Sequence, residues 1–293
     1  MEIINGRTIR DEILTNIKKE VSLLDFTPVF CDVLVGEDPV SMQYVRMKNK
    51  TAESVGIKFH NAIFPENISM EDLIQEIEKL NHLENICGII VQLPLPKHFD
   101  VKQILNSIDP NLDVDCLGEE TKEKFYKGET NLASPAALAC MNILDSLNLD
   151  NNLSATLKTR KIVVLGQGEL VGKPVTALLK FRNLAPEILT IQSENKEEAV
   201  MQADIIISGM GNGKYINSSM IKQGVIIIDA GTTEENGGVV GDVDFESVKD
   251  MSGFISPVPG GVGPVTVACL LNNVLEVAKH LTPALSLEKE REN

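Results

Sequence analysis

Tyr44 and Lys48, in the run Tyr44-Val-Arg-Met-Lys48, are four residues apart. On a helix they share one face, one turn from each other. If that face points into a cleft, the phenol can pack against a flat ligand. The ammonium, partly desolvated, then has its pKa lowered into a range useful for proton transfer. The alternative is a tyrosine half in the core and a lysine in water. Gln92 is the first polar group after the apolar run Gly88-Ile-Ile-Val. An amide there can orient a neighbouring lysine, or it can bond its own loop. Further on, Asp113-Val-Asp115 follows Ile108-Asp-Pro-Asn111. A carboxylate there can accept two parallel hydrogen bonds from a ligand that presents an N–H beside an amino group. By itself the same pattern is a turn.

A second set of residues suits a phosphate. The run Lys161-Ile-Val-Val-Leu165 leads into Gly166-Gln167-Gly168-Glu-Leu-Val171-Gly172, a strand, a glycine turn and a helix start. Dinucleotide-binding turns use glycines so that the turn is tight, the backbone can approach a pyrophosphate and the helix can pack on the strand. The spacing here is G-x-G-x-x-x-G, a variant of that pattern, and a glycine turn without a ligand is the alternative. Selectivity between nicotinamide cofactors is set near the end of the following strand, Glu187 to Gln192, which runs out into Ser193-Glu194. Near the carboxyl end, Ser256-Pro-Val-Pro-Gly-Gly-Val-Gly-Pro-Val-Thr266 precedes an apolar helical segment. Proline stiffens such a loop and glycine permits close approach, so it can lie against a flat ligand or simply join two elements.

The elements that must position these residues alternate. Short apolar runs at Val29 to Val35, Ile86 to Leu93, Lys161 to Leu165, Ile188 to Ile191, Ile205 to Ser208 and Val225 to Asp229 read as strands buried on both faces. Helical spacing fills Thr8 to Leu24, Pro39 to Val55, Met70 to Leu80, Pro135 to Leu147 and Val171 to Phe181. The fold class is α/β: two parallel-sheet domains, the second Rossmann-like, with a cleft between them. The first domain is expected over 1–125, with a helix at 265–282 packing back on it, and the second over 126–264. Residues 283–293 read as a charged tail. The polar stretch Leu147 to Thr159 reads as a boundary or surface insertion.

Composition narrows the function. A formal charge of −15 disfavours wrapping nucleic acid or an anionic membrane. Five scattered cysteines without C-x-x-C, and four histidines without H-E-x-x-H, signal neither a disulfide framework nor a metal site. No apolar run approaches the ~20 residues of a membrane span, and the start lacks a secretory pattern, so the expectation is a cytoplasmic protein.

Together the motifs resemble those of the bifunctional methylenetetrahydrofolate dehydrogenase/methenyltetrahydrofolate cyclohydrolases. The resemblance runs through Ile4-Asn-Gly-Arg-Thr-Ile9, Tyr44-x-x-x-Lys48, Val91-Gln-Leu-Pro-Leu-Pro96, Asp113-Val-Asp115, Val171-Gly-x-Pro174, Gly241-Asp-Val-Asp-Phe245 and Pro259-Gly-Gly-Val-Gly-Pro264. It implies a folate-binding catalytic domain followed by an NAD(P)-binding domain, tetrahydrofolate substrates of one-carbon metabolism and a homodimer, with no metal. It also implies oxidation of 5,10-methylenetetrahydrofolate and hydrolysis of the methenyl product to 10-formyltetrahydrofolate. On this resemblance Lys48 manages proton transfers, Gln92 orients Lys48, Tyr44 packs along the folate and Asp115 holds the pterin edge. Pro259, Gly260, Gly261 and Gly263 shape the folate wall, and Val262 contributes backbone. Gly166, Gln167, Gly168, Val171, Gly172, Ser193, Glu194 and Ser134 fall at the cofactor.

Four departures bear on that resemblance. The family's usual Gly-Arg-Ser is Gly166-Gln167-Gly168, so the cation and hydroxyl that commonly meet the NADP 2′-phosphate are absent. Cys-His-Ser-Lys/Arg-Thr is replaced by Ile191-Gln-Ser-Glu-Asn195, which puts a carboxylate, Glu194, where a base is usual. These changes favour NAD over NADP. Pro-Cys-Thr-Pro-x-Gly has become Leu132-Ala-Ser-Pro-Ala-Ala137, which keeps a hydroxyl at Ser134, and Asp-Val-Asp-Gly has become Asp113-Val-Asp-Cys116. Cys116 crowds the turn if its φ is positive. A cyclohydrolase with impaired dehydrogenase activity, or a non-catalytic folate-binding homologue, are the alternatives.

Overall fold

The structure is a computed structural model that describes residues 1–147, 157–235 and 237–291, with side chains described as far as Leu281. Of the stretch expected as a boundary or insertion, 148–156 lies outside the described residues. Elements are numbered in chain order. The chain forms two compact units, one of Glu12–Ala133 with Leu270–Asn293, the other of Met1–Asp11 with Ser134–Cys269.

The first unit is built on a three-stranded parallel sheet, with β2 (Val29–Val35) between β3 (Lys58–Phe64) and β4 (Ile86–Val91). Every residue of β2 and β4 is buried, as expected of strands covered on both faces. Edge strand β3 buries only Ala62 fully, so it lacked the apolar run that marked the other two. Helices α1 (Gly6–Val21), α2 (Pro39–Ser54) and α3 (Met70–Leu80) connect and cover these strands. Two short helices, α4 (Val101–Leu105) and α5 (Glu119–Lys127), follow. Helix α2 starts where Asp38 accepts a hydrogen bond from the Ser41 amide and Pro39 takes the first turn, where its missing N–H costs nothing. The core joins Phe30, Val33, Leu73, Ile77 and Ile89 to Leu271, Val274 and Leu275 near the carboxyl end.

In the second unit all six strands of one sheet run parallel, in the order β1 (Glu2–Ile3), β11 (Phe254–Ile255), β8 (Ile226–Asp229), β7 (Ile205–Ser208), β5 (Ile162–Leu165), β6 (Glu187–Leu189). From β5 the chain first adds β6 on one side, then returns to add β7 on the other. This reversal opens a crevice at the carboxyl ends of β5 and β7, the place where open α/β sheets take ligands. A small antiparallel ribbon, β9 (Thr233–Glu235) with β10 (Gly238–Val240), lies apart. The helices are α6 (Pro135–Ser146), α7 (Gly172–Phe181), α8 (Lys196–Gln202), α9 (Phe245–Val248) and the first turns of α10 (Val262–Arg291).

Three details differ from the sequence expectation. Met1–Asp11 groups with the second unit because β1 pairs with β11, and a two-residue strand carries no periodicity to read. Strand β6 stops at Leu189 instead of continuing to Gln192, and Ile191 is 92% exposed. Helix α10 begins at Val262 and runs to Arg291, through most of the segment expected as a tail. All five cysteines are buried free thiols. Burial pushes Cys31, Cys87 and Cys269 up to about 12 and raises Cys116 and Cys140 as well. Among the described residues no helix is long and apolar enough to cross a membrane.

Candidate active site and dinucleotide turn

The face of α2 that carries Tyr44 and Lys48 reverses the simpler alternative. The lysine is the buried partner, 7% exposed, and the tyrosine is 50% exposed. Lys48 Nζ donates to Gln92 Oε1 at 2.8 Å. Gln92 is itself fixed, because its Nε2 donates to the Leu93 carbonyl at 2.9 Å and its backbone N–H donates to Val33 O at 2.8 Å. The amide oxygen is therefore turned toward the amine. On the other side Lys48 Nζ is 2.6 Å from Asp32 Oδ2, in the middle of β2.

Asp32 was missed in the sequence. Its signal was a single carboxylate inside Val29–Val35, a run otherwise apolar. It is fully buried, and neither carboxylate oxygen accepts a hydrogen bond from any other described group. Burial raises its pKa and the Lys48 ammonium opposes that rise.

The two aspartates after β4 divide their work. Asp113 is buried, and accepts hydrogen bonds from the amides of Gly118 at 2.7 Å and Leu117 at 3.3 Å, which closes the loop. Asp115 is half-buried, and its carboxyl is pushed up to about 6, foremost by desolvation. Lys48 opposes that rise, while Asp113 and Asp32 add to it. Asp115 is thus electrostatically linked to Lys48 and is not spent on the loop. Cys116 does take a positive φ, +56°, so a residue with a Cβ occupies a left-handed position.

In the second unit the Pro/Gly loop is pinned from within. Gly6 N–H donates to Gly260 O at 3.1 Å, and Gly261 N–H donates to Pro257 O at 2.7 Å. A Cβ on Gly6 would sit 1.8 Å from Gly261 O, so the amino-terminal segment can lie there only as glycine. Gly260 has φ +111°, and no atom lies within 4 Å of where its Cβ, or that of Gly263, would be. Pro259 and Gly263 are exposed while Gly261 and Val262 are buried.

The glycine turn after β5 fits a dinucleotide pyrophosphate on three separate observations. Gly166 has φ +90°, and a Cβ there would be 2.6 Å from Gly209 O, in the loop after β7. Gly172 lies against the turn, where a Cβ would be 2.1 Å from Gly166 O. Gly168 has nothing within 4 Å of its Cβ position, which leaves its backbone open to a ligand. Tight turn, helix-to-strand packing and open approach are the three tasks such glycines perform. Val171 precedes α7 without a side-chain cap; in the first turn the Lys173 amide donates to Gly168 O at 3.2 Å, Pro174 has no N–H and the Val175 amide donates to Val171 O at 2.9 Å, so the Gly172 amide is the one left for an anion.

The other residues expected at the cofactor divide between the turn and its supports. Gln167 folds back, donating to Gly166 O at 2.7 Å and to Thr176 Oγ1 at 3.2 Å. Ser134 is buried and its hydroxyl donates to Leu170 O at 2.6 Å, so it braces the turn. Ser193 Oγ accepts from the Thr190 amide at 2.9 Å, closing the turn after β6, and Glu194 beside it is exposed. Lys196, a cation sequence reading passed over, bonds the Ile191 carbonyl at 3.0 Å.

Two family models match this chain. "Tetrahydrofolate dehydrogenase/cyclohydrolase, catalytic domain" covers residues 4–115, and "Tetrahydrofolate dehydrogenase/cyclohydrolase, NAD(P)-binding domain" covers 134–282. The chain belongs to the tetrahydrofolate dehydrogenase/cyclohydrolase family. Among family members of known sequence, the bifunctional protein FolD of Nautilia profundicola is 39% identical over 284 residues, 96% of this chain and 98% of that protein. Among solved structures, the FolD methylenetetrahydrofolate dehydrogenase/cyclohydrolase of Campylobacter jejuni is 34% identical with a TM-score of 0.88, covering 96% of this chain and 99% of that one. The Trypanosoma brucei family member, solved with NADP and an inhibitor, is 32% identical with a TM-score of 0.86, covering 95% and 97%.

Proposed function

We infer that this chain is a bifunctional enzyme that oxidises 5,10-methylenetetrahydrofolate and hydrolyses the methenyl product to 10-formyltetrahydrofolate. The observation that carries this reading is the buried Lys48, held by Gln92 at 2.8 Å, in a chain that matches both family domains. Hydrolysis adds water to the methenyl carbon, removes a proton from that water and breaks one carbon–nitrogen bond. Lys48 handles the proton, since a positioned amine can give or take one at the reacting centre. Gln92 fixes the amine's direction. Tyr44, exposed one turn before Lys48, packs along the folate, and Asp115 accepts the paired N–H groups of the pterin edge.

A nicotinamide dinucleotide, when bound, supplies the hydride acceptor. Gly166, Gly168 and Gly172 with the start of α7 hold its pyrophosphate. We further infer a preference for NAD. Glu194 is exposed just past β6, where it would repel a 2′-phosphate and can accept a ribose hydroxyl, and Gln167 brings no charge. The chain also pairs with a second copy through this unit: β6 is an edge strand, with exposed Ile188 on it and exposed Ile191 just past it.

Mixing the enzyme with methylenetetrahydrofolate and either NAD or NADP, while following absorbance of reduced nicotinamide and of methenyltetrahydrofolate, tests activity and cofactor together. Both signals should rise, the methenyl signal should then decay, and NAD should give the higher kcat/KM. A preference for NADP of roughly tenfold or more overturns the cofactor assignment. Hydrolysis of added methenyltetrahydrofolate without reduction of either cofactor overturns the oxidation. Sedimentation of a monomer at micromolar concentration overturns the pairing.

A further inference from the structure

Among the described residues four carboxylates are almost wholly buried: Asp32, Asp113, Asp229 and Asp242. Three of them organise backbone. Asp113 closes its loop through the amides of Leu117 and Gly118. Asp242 accepts from Ser208 Oγ at 2.7 Å and from the amides of Met210 at 2.7 Å and Asn212 at 2.8 Å. Asp229 accepts from the amides of Gly231 at 2.9 Å, Asp242 at 3.1 Å and Val243 at 3.0 Å. Asp32 does none of this. Among the described residues the one charged group in contact with it is Lys48, with Nζ at 2.6 Å, and its neighbours along β2, Cys31 and Val33, are fully buried.

Stability gives little reason for such a carboxylate. A buried ion pair rarely repays its desolvation, and an apolar residue in a central strand would cost less. What Asp32 does control is the amine. An ammonium has three N–H donors. Gln92 takes one and Asp32 faces another, so the direction of the third is set by tetrahedral geometry. Among the described residues, the charged and polar groups facing the amine are Asp32 from β2, Gln92 at the end of β4 and Asp115 from the loop beyond; Tyr44 lies one turn earlier on its own helix.

We propose that Asp32 is a positioning residue for the hydrolytic step, holding Lys48 so that its remaining N–H faces the substrate. This rests on the hydrolytic reading given above. Removing the carboxylate frees the amine to turn about its last bond.

The test uses the full-length chain with Asp32→Asn, which keeps shape and an acceptor oxygen, and with Asp32→Ser. Hydrolysis of methenyltetrahydrofolate is followed across pH beside the wild-type chain. The expected result is a fall in kcat of about tenfold to a hundredfold, with a much smaller change in KM. A purely structural role would lower the amount of folded enzyme and leave the kcat of the folded fraction unchanged. A folded variant with wild-type kcat overturns the proposal. If neither variant folds, unfolding of Lys48→Met is compared with Lys48→Met/Asp32→Asn: recovery of stability in the double variant upholds the pairing, and its absence overturns the proposal. A wild-type chain that hydrolyses no methenyltetrahydrofolate overturns the functional reading itself. An active wild-type chain with indifferent Asp32 variants overturns only the positioning role.

Discussion

The two units build their sites from different material. Around Lys48 the site consists of side chains: an amine on α2 with an amide from the end of β4 at 2.8 Å and a carboxylate from β2 at 2.6 Å. Around Gly166 it consists of backbone, and the residues that matter do so by lacking a side chain. The first kind of site is broken by changing chemistry at constant volume. The second is broken by adding volume at constant chemistry.

The sharpest break of that contrast is Lys48→Met, which keeps length and removes the amine. Hydrolysis should fall by about a thousandfold, the middle of the range for a positioned acid or base, while folate binding measured by fluorescence titration persists. Retained hydrolysis would place the chemistry elsewhere. A pair of alanine substitutions probes the other unit. Gly172→Ala puts a carbon 2.1 Å from Gly166 O and should lower unfolding stability by about 2–4 kcal/mol in urea titration. Gly168→Ala, with nothing within 4 Å, should leave stability within about 0.5 kcal/mol and weaken dinucleotide binding by roughly tenfold. Equal effects at the two glycines would erase the distinction between packing and approach.

The smallest effect concerns pH. Asp115 has its carboxyl pushed up to about 6, and only the ionised form accepts two hydrogen bonds from a ligand. Folate-analogue affinity should therefore hold above that pH and decline below it, toward about tenfold per unit, because protonation removes the acceptor. Asp115→Asn should bind more weakly and show no such decline, which calorimetry at two pH values reads directly.

How far the sequence carried the reading follows the same division. Lys48 and Gln92 were legible because one falls a turn after a tyrosine and the other ends an apolar run, both local patterns. Asp32 was not, because its pairing with Lys48 depends on which strand packs beneath α2. A lone acid in a buried run is also lost in the average hydrophobicity of the strand. The glycine turn was legible as spacing, and the structure separated its members into a tight turn, a packing contact and an open approach. Ser134 was read as facing the cofactor, yet its hydroxyl reaches the Leu170 carbonyl, a contact no local pattern announces. Edge strands β1, β3 and β6 were missed or misjudged in extent because half-exposed or two-residue strands leave little apolar signal.

The five thiols have a practical use. Each is sealed in the interior and held in its protonated, unreactive form. An alkylating reagent added to the native protein therefore meets nothing to modify until a segment opens. Because Cys31, Cys87 and Cys116 lie in one unit and Cys140 and Cys269 in the other, peptide mapping of the label would time the opening of each unit separately, without any engineered probe.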